Sequence, residues 1–385
     1  DGEAADQVAF LFTGQGSQQA QMGLELYETL PAYREAFDAI LVALNPHLPQ
    51  PLESVLFAEK GSELAQKLHE TQWTQPALFA FELALATVWR QRGMKPSFVL
   101  GHSIGELVAA QVAGVMSLED AAKLVCARGR LMQSCQPAGA MLSLQCDEAQ
   151  VSPWVQRQGG KVDLAGLNSP KQTVISGDED GVRAIESLSA QAGIKTTRLQ
   201  VSHAFHSHHM DTMLDAYHRV AESCTLHPPR IPLVSNVTGQ LASDEELTSA
   251  DYWVSQVRSA VRFVDCMQTL EREGVSTFIE CGPRGVLCAM GAACVARDTT
   301  HFVASHRKGR SERATFMAAM AKVHVLGHAL AWDTLLGGAT PHRVALPTYA
   351  FQRKRYWLER VEPTPTKPKA PVSSGTMVER VLEPS

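Results

Sequence analysis

The pentapeptide GHSIG (101–105) sits between a short apolar run, FVLG, and a helical pattern that opens at Glu106. In G-x-S-x-G the serine occupies a tight strand-to-helix turn, and its hydroxyl projects above a sheet at the positive end of a helix. Gly101 and Gly105 remove side chains that such a turn has no room for. Ser103 is therefore the candidate nucleophile. A serine hydroxyl is unreactive without a base, and histidine suits that task because it titrates near neutrality. The densest histidine group is VSHAFHSHHM, with His203, His206, His208 and His209. Spacing alone does not choose among them.

These groups need a scaffold that positions them. Short apolar runs read as strands at Val8–Phe12, Phe98–Gly101, Val174–Ser176, Leu233–Ser235, Thr277–Glu280 and Phe302–Ala304. Amphipathic stretches such as Gln75–Arg92 and Leu118–Gln133 read as helices between them. That alternation predicts an α/β fold with a largely parallel sheet, and the G-x-S-x-G elbow makes the large subdomain α/β-hydrolase-like. Residues 139–202 differ: their order β-α-β-β-α-β is the ferredoxin-like arrangement, read as a small inserted subdomain. The expected organisation is a large subdomain in two parts, 8–138 and 203–300, flanking that insertion. A C-terminal segment and linker follow over 301–361. Over 362–385, five of the chain's twenty prolines crowd into 24 residues, which reads as a disordered linker leading to a further domain.

Composition bounds the classes. The formal charge is −5, so no global basic field points to nucleic acid. No apolar run approaches the ~18 residues of a membrane span, and the first residues lack the basic start and apolar core of a signal peptide. The eight cysteines form no C-x-x-C pair and mostly lie in apolar stretches, reading as buried free thiols in a reducing, cytoplasmic setting.

Eight motifs occur in order: FLFTGQGSQ (10–18), GHSIGE (101–106), ARGRLMQ (127–133), HAFHSHHM (203–210), IPLVSNVTG (231–239), DYW…VRF (251–263), ECGPRGVL (280–287) and LPTYAFQRKRYW (346–357). Over residues 8–358 the chain closely resembles the acyltransferase domain of modular type I polyketide synthases. It is more distantly similar to bacterial malonyl-CoA:acyl carrier protein transacylases.

The resemblance implies roles residue by residue. Ser103 takes the acyl group from coenzyme A as an ester, and His206 deprotonates it and later protonates the leaving thiol. A backbone carbonyl within 256–259 orients the imidazole. Backbone N–H groups of Gln15 and Ile104 form the oxyanion hole, each such donor typically worth ~3 kcal/mol. Arg128 holds the free carboxylate of a malonyl-type extender. HAFH, in place of the YASH usual for methylmalonyl-loading members, makes His203 and Phe205 selectivity residues and malonyl-CoA the expected donor. His102, His208 and His209 are left as structural or pocket-lining. The acceptor is the phosphopantetheine thiol of an acyl carrier protein, for which the basic run His306–Arg313 is a docking candidate. No metal or redox cofactor is implied. The 346–357 motif resembles a linker that wraps back over a ketosynthase and its connecting linker, and the C-terminal linker favours excision from a megasynthase. Three alternatives remain: the same transfer with methylmalonyl or another substituted malonyl unit, a serine hydrolase or thioesterase, and a catalytically silent docking scaffold.

Overall fold

The computed structural model describes residues 7–136, 139–201, 203–332 and 345–357. The chain divides into one compact unit reaching Gly338 and a second from Ala339 onward.

Four strands form the core sheet of the first unit: β1 (Gln7–Phe12), β2 (Phe98–Gly101), β7 (Val275–Glu280) and β8 (His301–Ala304), in the order β2-β1-β7-β8. All pairings are parallel, with Phe12 opposite Gly101 and Leu11 opposite Glu280. A parallel sheet covered on both faces demands near-continuous apolar strands. VAFLF in β1 and FVLG in β2 are buried throughout. The helix Thr71–Gln91 packs beneath, buried on almost every face, and the helix Leu118–Gln133 lies against it.

The inserted sheet contains β3 (Ala140–Leu144), β4 (Val162–Ser169), β5 (Gln172–Gly177) and β6 (Thr196–Arg198), ordered β4-β5-β3-β6 and antiparallel. With helices Glu148–Gln156 and Glu179–Gln191 on one side, this is the strand order of the ferredoxin-like fold. It has its own core around Leu142, Ile175, Val182 and Ile185. The expected α/β class with two subdomains is what the structure has.

Two expectations are corrected. Leu233–Ser235 forms only isolated bridges, Leu233 beside Val99 of β2 in parallel and Val234 to Leu241, because the segment turns back at Asn236–Gly239 after one bridge to β2. The boundary expected at residue 301 cuts into the core: β8 pairs with β7, and helix Glu312–Val325 packs on β8. Residues 301–325 therefore belong to the large subdomain.

Among the described residues of the second unit, 345–357, there is no helix or strand, and Leu346, Tyr349, Phe351, Tyr356 and Trp357 are exposed. The Pro-rich stretch 362–385 lies outside the described residues.

The two loops that lead out of β1 and β2 at their carboxyl ends touch directly. A Cβ on Gly105 would overlap the Phe12 carbonyl, and one on Gly101 would overlap the Gly105 backbone. Gly105→Ala is thus expected to cost about 3 kcal/mol or more, since backbone has nowhere to yield. Urea unfolding checks this: the midpoint should fall at unchanged slope.

Candidate active site

A cavity of about 670 Å³ opens between the subdomains, above the carboxyl ends of β1 and β2. That is where open parallel sheets bind ligands. The large subdomain lines it with Gln15, His102, Ser103, Arg128 and His206, the small one with Met141, Ala165 and Asn168.

Ser103 has φ 54°, in the left-handed region, which costs a non-glycine residue roughly 1–2 kcal/mol. Its backbone is clamped on both sides. Its N–H donates to Asn236 Oδ1 at 2.8 Å, and its carbonyl accepts from Gln256 Nε2 at 2.7 Å. Asn236 Nδ2 in turn donates to the Gly101 carbonyl. These bonds hold the turn, and the hydroxyl stands at the head of the helix Gly105–Ala113.

Ser103 Oγ lies 2.8 Å from His206 Nε2. The other ring nitrogen, Nδ1, lies 2.8 Å from the Ser259 carbonyl, which accepts its proton. That bond fixes the tautomer with an unprotonated Nε2 facing the serine, the form a base needs. His206 also has positive φ, 56°. Val261 ties this region to the small subdomain, its N–H donating to the Ala165 carbonyl at 3.0 Å and its carbonyl accepting from Leu167 at 2.8 Å.

Burial, and secondarily the Arg128 charge, push His206 down to about 3. A histidine whose folded value lies below the ordinary 6.5 takes up its proton more readily in the unfolded chain. Its contribution to stability is whole above pH 6.5 and is lost as pH falls toward 3. His206→Gln should therefore gain stability relative to the parent on acidification below about pH 6.5. Paired urea midpoints across that range test the sign.

Arg128 is fully buried on the helix Leu118–Gln133. Its Nη2 donates to Ser103 Oγ at 3.2 Å and to Gln256 Oε1 at 3.4 Å, while Nε has no partner among the described residues. Among those residues no carboxylate pairs with it. Glu106, itself raised to about 7 by burial, acts on it only through space. Burial lowers Arg128 to about 10. A buried cation without an anion is costly, and here it faces a cavity.

The remaining expected residues fall as follows. Gln15 lines the cavity from the loop after β1, and Ile104 follows the serine with its side chain buried. Phe205 lines the cavity wall with Leu199 and Val201. His203 does not line it. Its ring is buried 6.0 Å behind Phe205, near the Gln133 and Cys135 backbone, so it can act on the cavity only through Phe205. His102 lines the cavity and bonds Asn168 Oδ1 at 2.9 Å. His208 and His209 face Asp178 instead.

Asn236, Gln256 and Asn168 were not legible as site residues. Asn236 lies inside the IPLVSNVTG motif and Gln256 inside the 256–259 segment, but neither motif states what its amide holds.

A serine hydroxyl bonded to a histidine, beside a buried arginine that no carboxylate among the described residues pairs, can support acyl transfer. Residues 9–330 match the family described as "Acyl transferase domain", and the chain belongs to that family. It is 48% identical over 362 residues to polyketide synthase GfsA of Streptomyces halstedii, covering 93% of this chain and 5% of that protein. The chain thus spans a small fraction of the curated relatives it matches. The acyltransferase domain from the second module of the salinomycin polyketide synthase superposes with a TM-score of 0.84 at 43% identity, covering 90% of this chain and 80% of that one. A malonyl-transacylase solved with a type II polyketide synthase acyl-carrier protein has a TM-score of 0.73 at 29% identity, covering 82% and 100%.

Proposed function

We propose that the chain moves a malonyl unit from coenzyme A to the phosphopantetheine thiol of an acyl carrier protein, through an acyl ester on Ser103, for polyketide chain extension. The observation that carries this is the meeting of two groups at one oxygen: Ser103 Oγ lies within hydrogen-bond reach of both His206 and the buried Arg128.

In the first half-reaction His206 Nε2 takes the Ser103 proton as Oγ attacks the thioester carbonyl. The amides of Gln15 and Ile104 receive the oxyanion, and coenzyme A leaves as a thiol with the proton from His206. In the second half the carrier thiol gives its proton to His206, attacks the ester carbonyl and releases Ser103 Oγ, which recovers a proton. Arg128 pairs with the malonyl carboxylate in the fork geometry suited to a guanidinium. That pairing offsets the positive charge that depresses His206, so the base strengthens when a dicarboxylic substrate is bound. No metal or redox group takes part.

The Ser259 carbonyl behind His206, in place of the carboxylate of hydrolase triads, favours a transferase over a serine hydrolase or thioesterase. A malonyl ester that survives in water until a thiol arrives separates the two. The intact pair also weighs against a silent scaffold.

Phe205 lines the cavity, and a ring there would crowd a branching methyl, which supports malonyl over methylmalonyl. One methyl is worth ~1–3 kcal/mol, so a preference of about 10- to 100-fold in kcat/KM is expected. Intact-protein mass spectrometry after incubation with a panel of acyl-CoAs tests nucleophile and donor together. A methylmalonyl adduct forming faster than the malonyl one would overturn the assignment.

For the acidic carrier protein, the run His306–Arg313 offers Arg307, Lys308, Arg310 and Arg313 exposed, while His306 and Glu312 are buried. Glu312 accepts the Gly23 N–H at 2.8 Å and so turns inward, while Glu25 accepts the Ser311 hydroxyl at 2.6 Å at the end of the run. Charge reversal at Arg307 and Lys308 should slow transfer to carrier protein without slowing acylation of Ser103; unchanged carrier kinetics would reject this docking site. A ketosynthase and its linker are the proposed neighbours of the exposed aromatics at 349–357. A cytoplasmic setting accords with eight free cysteines, seven buried and Cys224 half-buried. Among the described residues no helix is long and apolar enough to cross a membrane.

A further inference from the structure

We infer that Asp178, His208 and His209 form a binding site for a divalent transition-metal ion of the zinc class. The ion joins the small subdomain to the segment that carries His206.

Asp178 Oδ1 lies 3.2 Å from His208 Nε2 and 2.8 Å from His209 Nε2, and one donor atom from each residue falls within 4.8 Å of the others. Tetrahedral zinc with bonds of about 2.0–2.1 Å separates its ligand atoms by about 3.3 Å, so small side-chain adjustments bring all three onto one ion. The donors are two imidazoles and one carboxylate, a set that suits zinc, cobalt or nickel better than soft or all-oxygen metals. Asp178 and His208 are partly exposed and His209 is buried, which leaves a fourth position toward solvent.

The surroundings also fit an ion. His208 is flanked by carboxylates at both ring nitrogens, Nδ1 at 3.3 Å from Asp163 Oδ2 and Nε2 at 3.2 Å from Asp178. Asp163 also accepts the His208 backbone N–H at 2.9 Å, which holds its carboxylate beside Nδ1. A carboxylate behind a ligating histidine is the usual outer support of a metal site. The two imidazole rings lie 4.5 Å apart. Asp163, Asp178 and Asp211 oppose the single guanidinium of Arg258, which pairs with Asp163 at 3.2 Å and Asp211 at 2.8 Å. The local charge is negative.

Asp178 precedes the small-subdomain helix Glu179–Gln191, whereas His208 and His209 follow His206 by two and three residues. An ion here links two segments that both border the cavity. It takes no part in the acyl transfer itself.

The test uses the full chain, stripped with a chelator and titrated calorimetrically with zinc chloride near neutral pH. One equivalent should bind. Asp178→Asn and His208→Gln should each weaken binding about 100-fold, and Asp163→Asn about tenfold. Zinc at a hundredfold excess over the parent's Kd should raise the parent's Tm by roughly 4 °C and that of Asp178→Asn by less than about 1 °C. Cobalt in place of zinc should give visible ligand-field bands without thiolate charge transfer, which separates this site from the cysteines. Binding weaker than about 10⁻⁴ M, one equivalent retained by the Asp178→Asn/His208→Gln double variant, or a thiolate band with cobalt would each overturn the assignment.

Discussion

Alanine at Ser103 is expected to abolish the covalent malonyl adduct and to lower transfer to carrier protein by ~10⁴-fold or more. The reason is geometric. Among the described residues His206 Nε2 bonds one hydroxyl, that of Ser103, so its removal leaves the base with nothing to activate. His206→Ala should lower the rate by ~10²–10⁴-fold, the range for losing a positioned base, while leaving a weak adduct. The double variant should be hardly slower than Ser103→Ala, because the two act as one unit. Intact mass and a single-turnover assay read all three. An undiminished adduct in Ser103→Ala would move the nucleophile elsewhere.

The second large effect is expected at Arg128. Arg128→Ala should lower kcat/KM for malonyl-CoA by about 10²- to 10⁴-fold, the equivalent of the ~3–5 kcal/mol lost when one partner of a buried ion pair is removed. Acetyl-CoA should lose little or gain, since it has no carboxylate and in the parent leaves the guanidinium unpaired. Stability should move the other way. The free enzyme holds Arg128 fully buried with Nε unpartnered, so Arg128→Met should unfold at an equal or higher urea midpoint. A structural arginine would show the reverse: lower stability with selectivity retained. Measuring both quantities on the same variant separates the readings.

The features legible in the sequence share a local origin. The turn at Ser103 depends on Gly101 and Gly105, residues two positions away, because only glycine fits where Phe12 and the following helix crowd the backbone. Strand alternation and the β-α-β-β-α-β order are likewise set by residues near one another in the chain, and they appear in the structure with shifts of a few positions. Leu233–Ser235 meets β2 at Val99 alone, because the chain turns back at Asn236–Gly239 directly after it.

The chain's residues by themselves therefore determined the elbow, the two-subdomain class and the family. Tertiary structure decided how the site is held. Asn236 and Gln256 reach Ser103 from 133 and 153 residues away, and Ser259 orients a histidine 53 residues before it. Packing also set His203 behind Phe205 and left Arg128 buried with no carboxylate paired to it among the described residues. A side chain's local conformation is written in its neighbours along the chain, whereas its charge environment and hydrogen-bond partners come from segments that meet only when the core closes.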